Sequence, residues 1–311
     1  MTVKAADGQS LTQTGLYVAV DKNYFREEGL NVELVPLSSF EAVIPSLTTG
    51  EIDVGLGGVS PLLFNAFARG INVRIVATAA LHAPGRSQLI VARKDLVESG
   101  QLKSYTDLKG KKIARAAALS IDTIAFEKGL GLGGLTLNDV EFITLAFPEI
   151  VAALSNKAVD VAYLSEPFAT SAIDKGIAVK WHEMADLVPN HAGSLWLYSQ
   201  QLVEKQPEAG RRFMAAMLRG VRDYEDGFAK NKGRPEVVAS LIKHTPIKDA
   251  SVYDRMIAIK YPTSGELPLD TLQQDLDWLR DHGAVPQAPD LAKVVDSQFI
   301  TYAAQRLGPY A

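Results

Sequence analysis

The decisive stretch of this 311-residue chain is LTTGEIDVG, Leu47–Gly55, because it is written a second time as LSNKAVDVA, Leu154–Ala162. Each copy runs from a leucine through the end of an amphipathic helix to an aliphatic residue, Asp, Val and a small residue. The aspartates are Asp53 and Asp160. Each copy leads into a loop with a proline expected one step into the next helix, as Gly57-Gly58-Val59-Ser60-Pro61 and as Tyr163-Leu164-Ser165-Glu166-Pro167-Phe168. Proline is tolerated at a first helical position because the N–H it lacks has no intrahelical partner there. Two helix–strand–loop–helix units of one design predict two similar lobes. In open α/β sheets ligands sit beyond the carboxyl ends of the strands, so two such lobes with strand ends facing would enclose a cleft.

The rest of the chain fits that reading. Short apolar, β-rich runs alternate with helical patterns: VKAA (3–6), VELV (32–35), IDVGL (52–56), VRIVATA (73–79), QLIVAR (88–93), KKIAR (111–115), VEFIT (140–144), VDVAYL (159–164), IAVKW (177–181) and SLWLYS (194–199). Such alternation predicts an α/β fold with mainly parallel sheets. From Pro207 the pattern turns helical, with Phe213, Met217, Val221, Tyr224 and Phe228 on one apolar stripe. Further helices are expected at 235–243, 269–282 and 296–307.

Composition narrows the function. A formal net charge of −4 gives no basic excess for a phosphate backbone, which argues against nucleic acid. The absence of cysteine removes thiol nucleophiles, thiolate metal sites and disulfides together. The five histidines, at 82, 182, 191, 244 and 282, have no metal-ligand spacing. Gly129-Leu130-Gly131-Leu132-Gly133-Gly134 matches G-x-G-x-x-G but follows a helix and precedes a strand, the reverse of the order that cradles pyrophosphate. It reads as a helix end and turn. No nucleophile elbow, P-loop lysine or His-Glu-x-x-His is present, so neither a catalytic residue, a metal nor a cofactor is expected. The opening MTVKAADGQS has no basic n-region or apolar h-region, which fits a cytoplasmic protein or one whose signal peptide has been removed.

Several blocks in order resemble the periplasmic solute-binding proteins of ABC transporters, in the group serving nitrate, alkanesulfonates, taurine, thiamin-type pyrimidines and aromatic acids. They are LYVAVDKNYFREEGLNVELV (16–35), SLTTGEIDVGLGGVSPLLFNAFARGINVRIVA (46–77), DLKGKKIA (107–114) and AALSNKAVDVAYLSEPFAT (152–170). The resemblance implies a type 2 periplasmic-binding-protein fold: two α/β lobes, an interlobe cleft and a helical C-terminal part. Lobe one would be 1–83 with 193–311, and lobe two 84–192, with crossings at His82–Gly85 and Pro189–Gly193. It further implies a monomeric extracytoplasmic receptor, periplasmic once a signal peptide is removed. Its partners would be a small-molecule ligand, on which the lobes close in the manner of a flytrap, and a membrane-embedded ABC permease.

The same resemblance brings certain loops to the cleft. Gly58 with Ser60, Ser120, and Gln9 with Ser10 stand at helix starts, where backbone N–H groups and the helix dipole favour an anion. Each serine also reads as a plain helix cap. Phe40, Ser194 and Trp196 lie in loops or strand ends that shape the pocket in this family. The alternative for the aromatics, as for Phe147 and Phe168, is core. Arg86 would hold a carboxylate or sulfonate as a fork, or stand solvated at the hinge. Arg115 has a possible ligand role at its strand end. Glu166 accepts from a ligand amine or braces its loop, and His82 and His191 are cleft-rim residues at the crossings. Helix starts argue for an anion and aromatics for an organic one, so a sulfonate or aromatic carboxylate leads over a thiamin-type pyrimidine. A cytoplasmic menaquinone-pathway-like enzyme on the same fold is the competing class.

Overall fold

The computed structural model describes residues 1–37 and 40–311, without the side chains of Phe40 and Glu41. The described chain falls into two compact units, one made of Met1–Leu81, Ala192–Ala250 and Lys260–Ala311, the other of His82–His191 and Ser251–Ile259. Its strands in chain order are β1 Thr2–Asp7, β2 Asn31–Pro36, β3 Val54–Gly57, β4 Arg74–Leu81, β5 Leu89–Arg93, β6 Lys112–Arg115, β7 Glu141–Thr144, β8 Val161–Leu164, β9 Ala178–Glu183 and β10 Ala192–Tyr198. Each lies on one of the runs noted above, and the central strands β3 and β8 are buried throughout, as an uninterrupted apolar run allows.

The first unit holds the sheet β2-β1-β3-β10-β4 and the second the sheet β7-β6-β8-β5-β9. Position for position these are one topology. In both, the first three strands are parallel, and the fourth runs antiparallel to its two neighbours. The expectation of mainly parallel sheets is corrected to mixed sheets. The reversed strands, β5 and β10, are the first strands after the chain passes from one unit to the other at Leu81–His82 and at His191–Ala192. Neither therefore arrives by the helical crossover that makes consecutive strands parallel.

The doubled phrase is the clasp of each sheet. Asp53 Oδ2 accepts the Lys4 N–H at 2.9 Å, the Asp53 N–H donates to the Lys4 carbonyl at 2.8 Å, and the Asp53 carbonyl accepts the Ser199 N–H at 2.9 Å. In the second unit Asp160 Oδ2 accepts the Lys112 N–H at 2.9 Å, its N–H donates to the Lys112 carbonyl at 2.8 Å, and its carbonyl accepts the Arg93 N–H at 2.9 Å. Asp160 adds a 3.1 Å ion pair to the Arg93 guanidinium. One aspartate thus fixes three strands in register: β1, β3 and β10, or β6, β8 and β5.

The C-terminal helices bury the expected stripe. Phe213, Met217, Val221 and Tyr224 of the helix Pro207–Lys230 are all in the core. This helix meets the helix Thr14–Asp21 with almost no space between backbones. A Cβ on Gly220 would stand 2.1 Å from the Gly15 carbonyl oxygen, and one on Gly15 would stand 2.5 Å from Val221 Cγ2. Arg234–His244, Leu269–Asp281 and Gln298–Leu307 match the later helices expected, and Ala250–Arg255 and Leu291–Val294 are two short ones the pattern did not reveal.

Ser251–Ile259, left with lobe one in the sequence reading, packs with the second unit. Ile257 lies on the cluster built from Leu89, Ile150, Leu164 and Ala169, and Arg255 pairs with Asp174 at 2.6 Å. Sequence proximity to the other C-terminal helices gave no hint of this, because its partners Asp174, Glu166 and Arg86 are far away in the chain.

Two outcomes follow for stability. Asp53→Ala and Asp160→Ala should each lower unfolding free energy by about 1–2 kcal/mol, the net worth of a charged acceptor on a backbone donor in a partly exposed place, read as a lower urea midpoint. Gly220→Ala should cost about 1–3 kcal/mol or more by overpacking, although alanine is the better helix former. A neutral result in the same titration would show that the two helices can part.

Candidate functional site

The carboxyl ends of the parallel strands gather polar groups in each unit. In the first unit the β1 end is heavily braced. Asp7 Oδ1 accepts the Gln9 N–H at 3.0 Å and the Tyr17 hydroxyl at 2.8 Å. Gln13 holds the Gly8 N–H at 2.7 Å through Oε1 and donates to the Ala6 carbonyl at 2.6 Å. The Ser10 N–H donates to the Tyr17 hydroxyl at 3.2 Å. Burial, then the Asp7 charge, push the Tyr17 pKa well above its ordinary value, so Tyr17 stays a donor. This frame presents exposed Gln9 with a left-handed backbone, φ 51°, a conformation that a non-glycine residue adopts only when its surroundings impose it. Ser10 acts as a cap, taking the Thr12 N–H at 3.3 Å.

The β3 end is free where the β1 end is tied. A Cβ built on Gly58 meets nothing within 4 Å. Ser60 is the N-cap residue of the helix Pro61–Ala68, yet its hydroxyl makes no capping bond. The helix start therefore keeps N–H groups and a hydroxyl unspent. Beside it, Leu195 of β10 is opposite Gly57, and Ser194 is buried with a hydroxyl that has no partner. Thr78 of β4, opposite Leu195, likewise has an unpartnered buried hydroxyl. Trp196 is buried and shares its sheet face with Tyr198, whose ring packs on Phe213 and Phe299. The Phe40 side chain lies outside the described residues.

In the second unit the corresponding edge holds Arg115, at the end of β6, and the start of the helix Ile121–Leu132. Ser120 precedes that helix without capping it; its hydroxyl donates to Asp122 instead. Arg115 Nη1 donates to Thr123 Oγ1 at 2.8 Å, and its guanidinium lies over the Phe142 ring at 4.5 Å. Tyr163 donates to Gln88 at 2.6 Å, and Gln88 donates to Ser165 at 3.3 Å.

Two charged candidates are engaged by the unit itself. Glu166 is buried and accepts the Thr170 N–H and hydroxyl at 3.0 and 2.9 Å and the Ile257 N–H at 3.1 Å. These bonds tie Glu166 to the helix Phe168–Asp174 and to the segment Ser251–Ile259. Arg86 donates to the Ala258 and Ile259 carbonyls at 3.3 and 2.9 Å and so fastens the segment Ser251–Ile259. Pro167 stands just before the helix Phe168–Asp174 rather than inside it. The glycine run at 129–134 is the end of the helix Ile121–Leu132 with its turn, as its order along the chain implied.

His82 and His191 are neighbours in the second unit. The His82 N–H donates to the His191 carbonyl at 3.1 Å and the Asn190 N–H donates to the His82 carbonyl at 2.8 Å. His82 is fully buried, with Nδ1 3.1 Å from the Ser87 hydroxyl and Nε2 without a partner. Burial, and secondarily His191, bring its pKa down to about 3. A depression of about 380 Å³ lined by Leu47, Thr49, Asn72 and Gln201 opens at the opposite, amino end of β3 and β4. None of the partnerless buried polar atoms lines it.

With this geometry the comparisons can be placed. The profile described as NMT1/THI5 like matches residues 11–226. The chain belongs to the NMT1/THI5-like family. The taurine-binding periplasmic protein of Escherichia coli K12 is 24% identical over 308 residues, 94% of this chain and 91% of the relative. Among solved structures, the periplasmic nitrate-binding protein NrtA from Synechocystis PCC 6803 superposes with a TM-score of 0.79 at 17% identity, covering 98% of this chain and 89% of NrtA. The desulfurization enzyme DSZB gives 0.71 at 14%, covering 99% of both chains. Binding proteins and an enzyme thus share the two-sheet fold, so the fold alone does not choose between them. Among the described residues no helix is long and apolar enough to cross a membrane.

Sequence reasoning missed Asp7, Gln13, Tyr17, Thr78, Gln88 and Asp122. The short spacing from Asp7 through Gln13 to Tyr17, across a strand end into a helix, was a usable signal for the first three. Thr78 and Gln88 come to their places through strand pairing, and Asp122 sits in the first turn of the helix Ile121–Leu132 with its bonds to Ser120 and Thr123.

His82 gives a signed pH prediction. Its folded pKa lies below the unfolded value near 6.5, so its neutral form stabilises the fold fully above about pH 6.5. That contribution is lost as pH falls toward 3, by up to about 1.4 kcal/mol per pH unit. In urea titrations at pH 7 and pH 5, His82→Gln should lose less stability than the parent protein; an equal loss would show that His82 does not govern the acid limb.

Proposed function

We propose that the chain is the extracytoplasmic solute-binding receptor of an ABC importer, periplasmic and monomeric, carrying a small organic anion to a membrane-embedded permease. The observation that carries this reading is the unspent helix start at Gly58–Ser60. Its N–H groups and hydroxyl, at the positive end of a helix, match the oxygens of a sulfonate or carboxylate. The taurine-binding relative, aligned along nearly its whole length, supports a receptor role and a sulfonate-type ligand. Gln9 and Ser10 on their braced loop and Ser194 beside Gly58 are the further binding groups proposed for the first unit, and Ser120 is the one proposed for the second. Trp196, His82, Arg86 and Glu166 serve this reading as supports of the walls and loops of their own units.

A thermal-shift screen with alkanesulfonates, taurine, aromatic carboxylates, nitrate and pyrimidines tests it. At a hundred times its dissociation constant a ligand adds about 2.7 kcal/mol, which in a protein of this size moves the melting point by several degrees. A sulfonate or carboxylate should give that shift and be recovered unchanged by mass spectrometry. Turnover of the compound would favour an enzyme, and a shift from pyrimidines alone would replace the anion. Ser60→Ala should weaken the bound anion by about threefold to tenfold, one hydrogen bond's worth, with the melting point of the free protein unchanged.

A further inference from the structure

The loop after β1 has no backbone donor to spare. Its three successive N–H groups are taken by side chains of the chain itself: Gly8 by Gln13 Oε1 at 2.7 Å, Gln9 by Asp7 Oδ1 at 3.0 Å and Ser10 by the Tyr17 hydroxyl at 3.2 Å. The Ser10 hydroxyl lies 2.8 Å from that of Thr12 and accepts the Thr12 N–H at 3.3 Å. What remains is the Gln9 side chain, which is exposed and makes no hydrogen bond among the described residues. Its amide offers a ligand both donors and an acceptor. Where that amide points depends on the left-handed backbone of Gln9, φ 51°, which persists only while its surroundings hold it.

Tyr17 is central to that hold, and its own place is set from behind. Besides accepting from Ser10, the Tyr17 hydroxyl stands 2.8 Å from Asp7 Oδ1 and 3.1 Å from Gln13 Oε1, so one atom meets every part of the brace. Its ring is stacked on the imidazole of His244, with centroids 4.7 Å apart and planes 5° from parallel. His244 Nε2 is 3.2 Å from both oxygens of Asp21, which also accept from Ser240 at 2.7 Å and from Lys243. Spacing along the helices explains the fit. Tyr17 and Asp21 are one turn apart on the helix Thr14–Asp21, and Ser240 and His244 are one turn apart on the helix Arg234–His244. Residues four apart share a helix face, so each helix brings a pair that meets the other's pair. Stacked rings prefer particular geometries, and a ring fixed in this way fixes the hydroxyl that it carries.

We propose that His244 is a positioning residue for Gln9: by holding Tyr17, and through it the loop Gly8–Ser10, it sets the direction of the one side chain this loop keeps free for a ligand. This rests on the receptor reading above. It gives the helix Arg234–His244 a part in ligand affinity without a contact to the ligand, since support behind a binding group decides whether that group is preorganised.

The test combines amide hydrogen exchange in the free protein with calorimetric titration of ethanesulfonate. His244→Ala should speed exchange of the Ser10 amide about fivefold or more relative to amides of the second unit, and weaken ethanesulfonate about threefold to tenfold. His244→Phe, which keeps a ring on Tyr17, should bring both back to within about twofold of the parent protein. Gln9→Ala should weaken the anion to a similar extent, and adding His244→Ala to it should cost less than about twofold more, because the two changes remove one effect. Unchanged exchange and affinity in His244→Ala overturn the proposal. So does a loss that adds in full to that of Gln9→Ala, which would make His244 a structural residue acting elsewhere. Failure of the parent protein to bind ethanesulfonate overturns the receptor reading for that anion, and exchange at Ser10 then decides the link from His244 to the loop by itself. Should His244→Ala fold poorly, Tyr17→Phe, which keeps the stack and removes only the hydroxyl, must show the same faster exchange and the same weakening; their absence overturns the proposal equally.

Discussion

Both halves of this molecule depend on a carboxylate at the foot of a strand. Asp53 and Asp160 each accept a backbone N–H from one neighbouring strand with the side chain and another from the opposite neighbour with the main chain. A register slip of one residue would turn every side chain of the strand to the wrong face. These strands are four residues long and fully buried, so few ladder bonds resist a slip. The aspartate supplies the missing specification from the strand's edge. Once β3 and β8 are fixed, their carboxyl ends, and the loops that follow them, have fixed positions.

Polar groups in the two units divide by whether the chain has used them. Asp7, Gln13 and Tyr17 are saturated, and they hold one loop still. Glu166 and Arg86 are saturated too, and they hold the segment Ser251–Ile259 on the second unit. Among the described residues, Ser60 makes no capping bond, and Ser194 Oγ, Thr78 Oγ1, His82 Nε2, Arg115 Nε and Asp122 Oδ2 are buried without a partner. Buried polar atoms are nearly always paired, so atoms left over at strand carboxyl ends are where a ligand's chemistry has room to enter.

The sequence exposed the fold to an unusual degree. Ten apolar or β-rich runs became ten strands; β3 and β8 are apolar because they are covered on both faces, and that pattern is local. The stripe from Phe213 to Tyr224 gave its helix for the same reason. The sense of β5 and β10 was not legible, since strand direction in a sheet depends on where the chain comes from. Nor was the attachment of Ser251–Ile259, whose partners Asp174 and Glu166 are distant in sequence.

Within the candidate site, residue types were readable and their employment was not. Gly58 and Ser60 could be picked from a glycine-rich turn before a proline, which local sterics dictate. Whether a serine caps its helix or keeps its hydroxyl free was decided by tertiary geometry: Ser10 caps and Ser60 does not. The same holds for Glu166, which the sequence offered equally as ligand contact and as brace, and for Asp122, which it did not offer at all. The sequence by itself determined the two-unit plan, because hydrophobic periodicity and the repeated aspartate are properties of neighbouring residues. Only the tertiary structure decided which polar atoms remain unpaired, because a hydrogen bond depends on ångström-scale approach between residues that the chain order keeps apart.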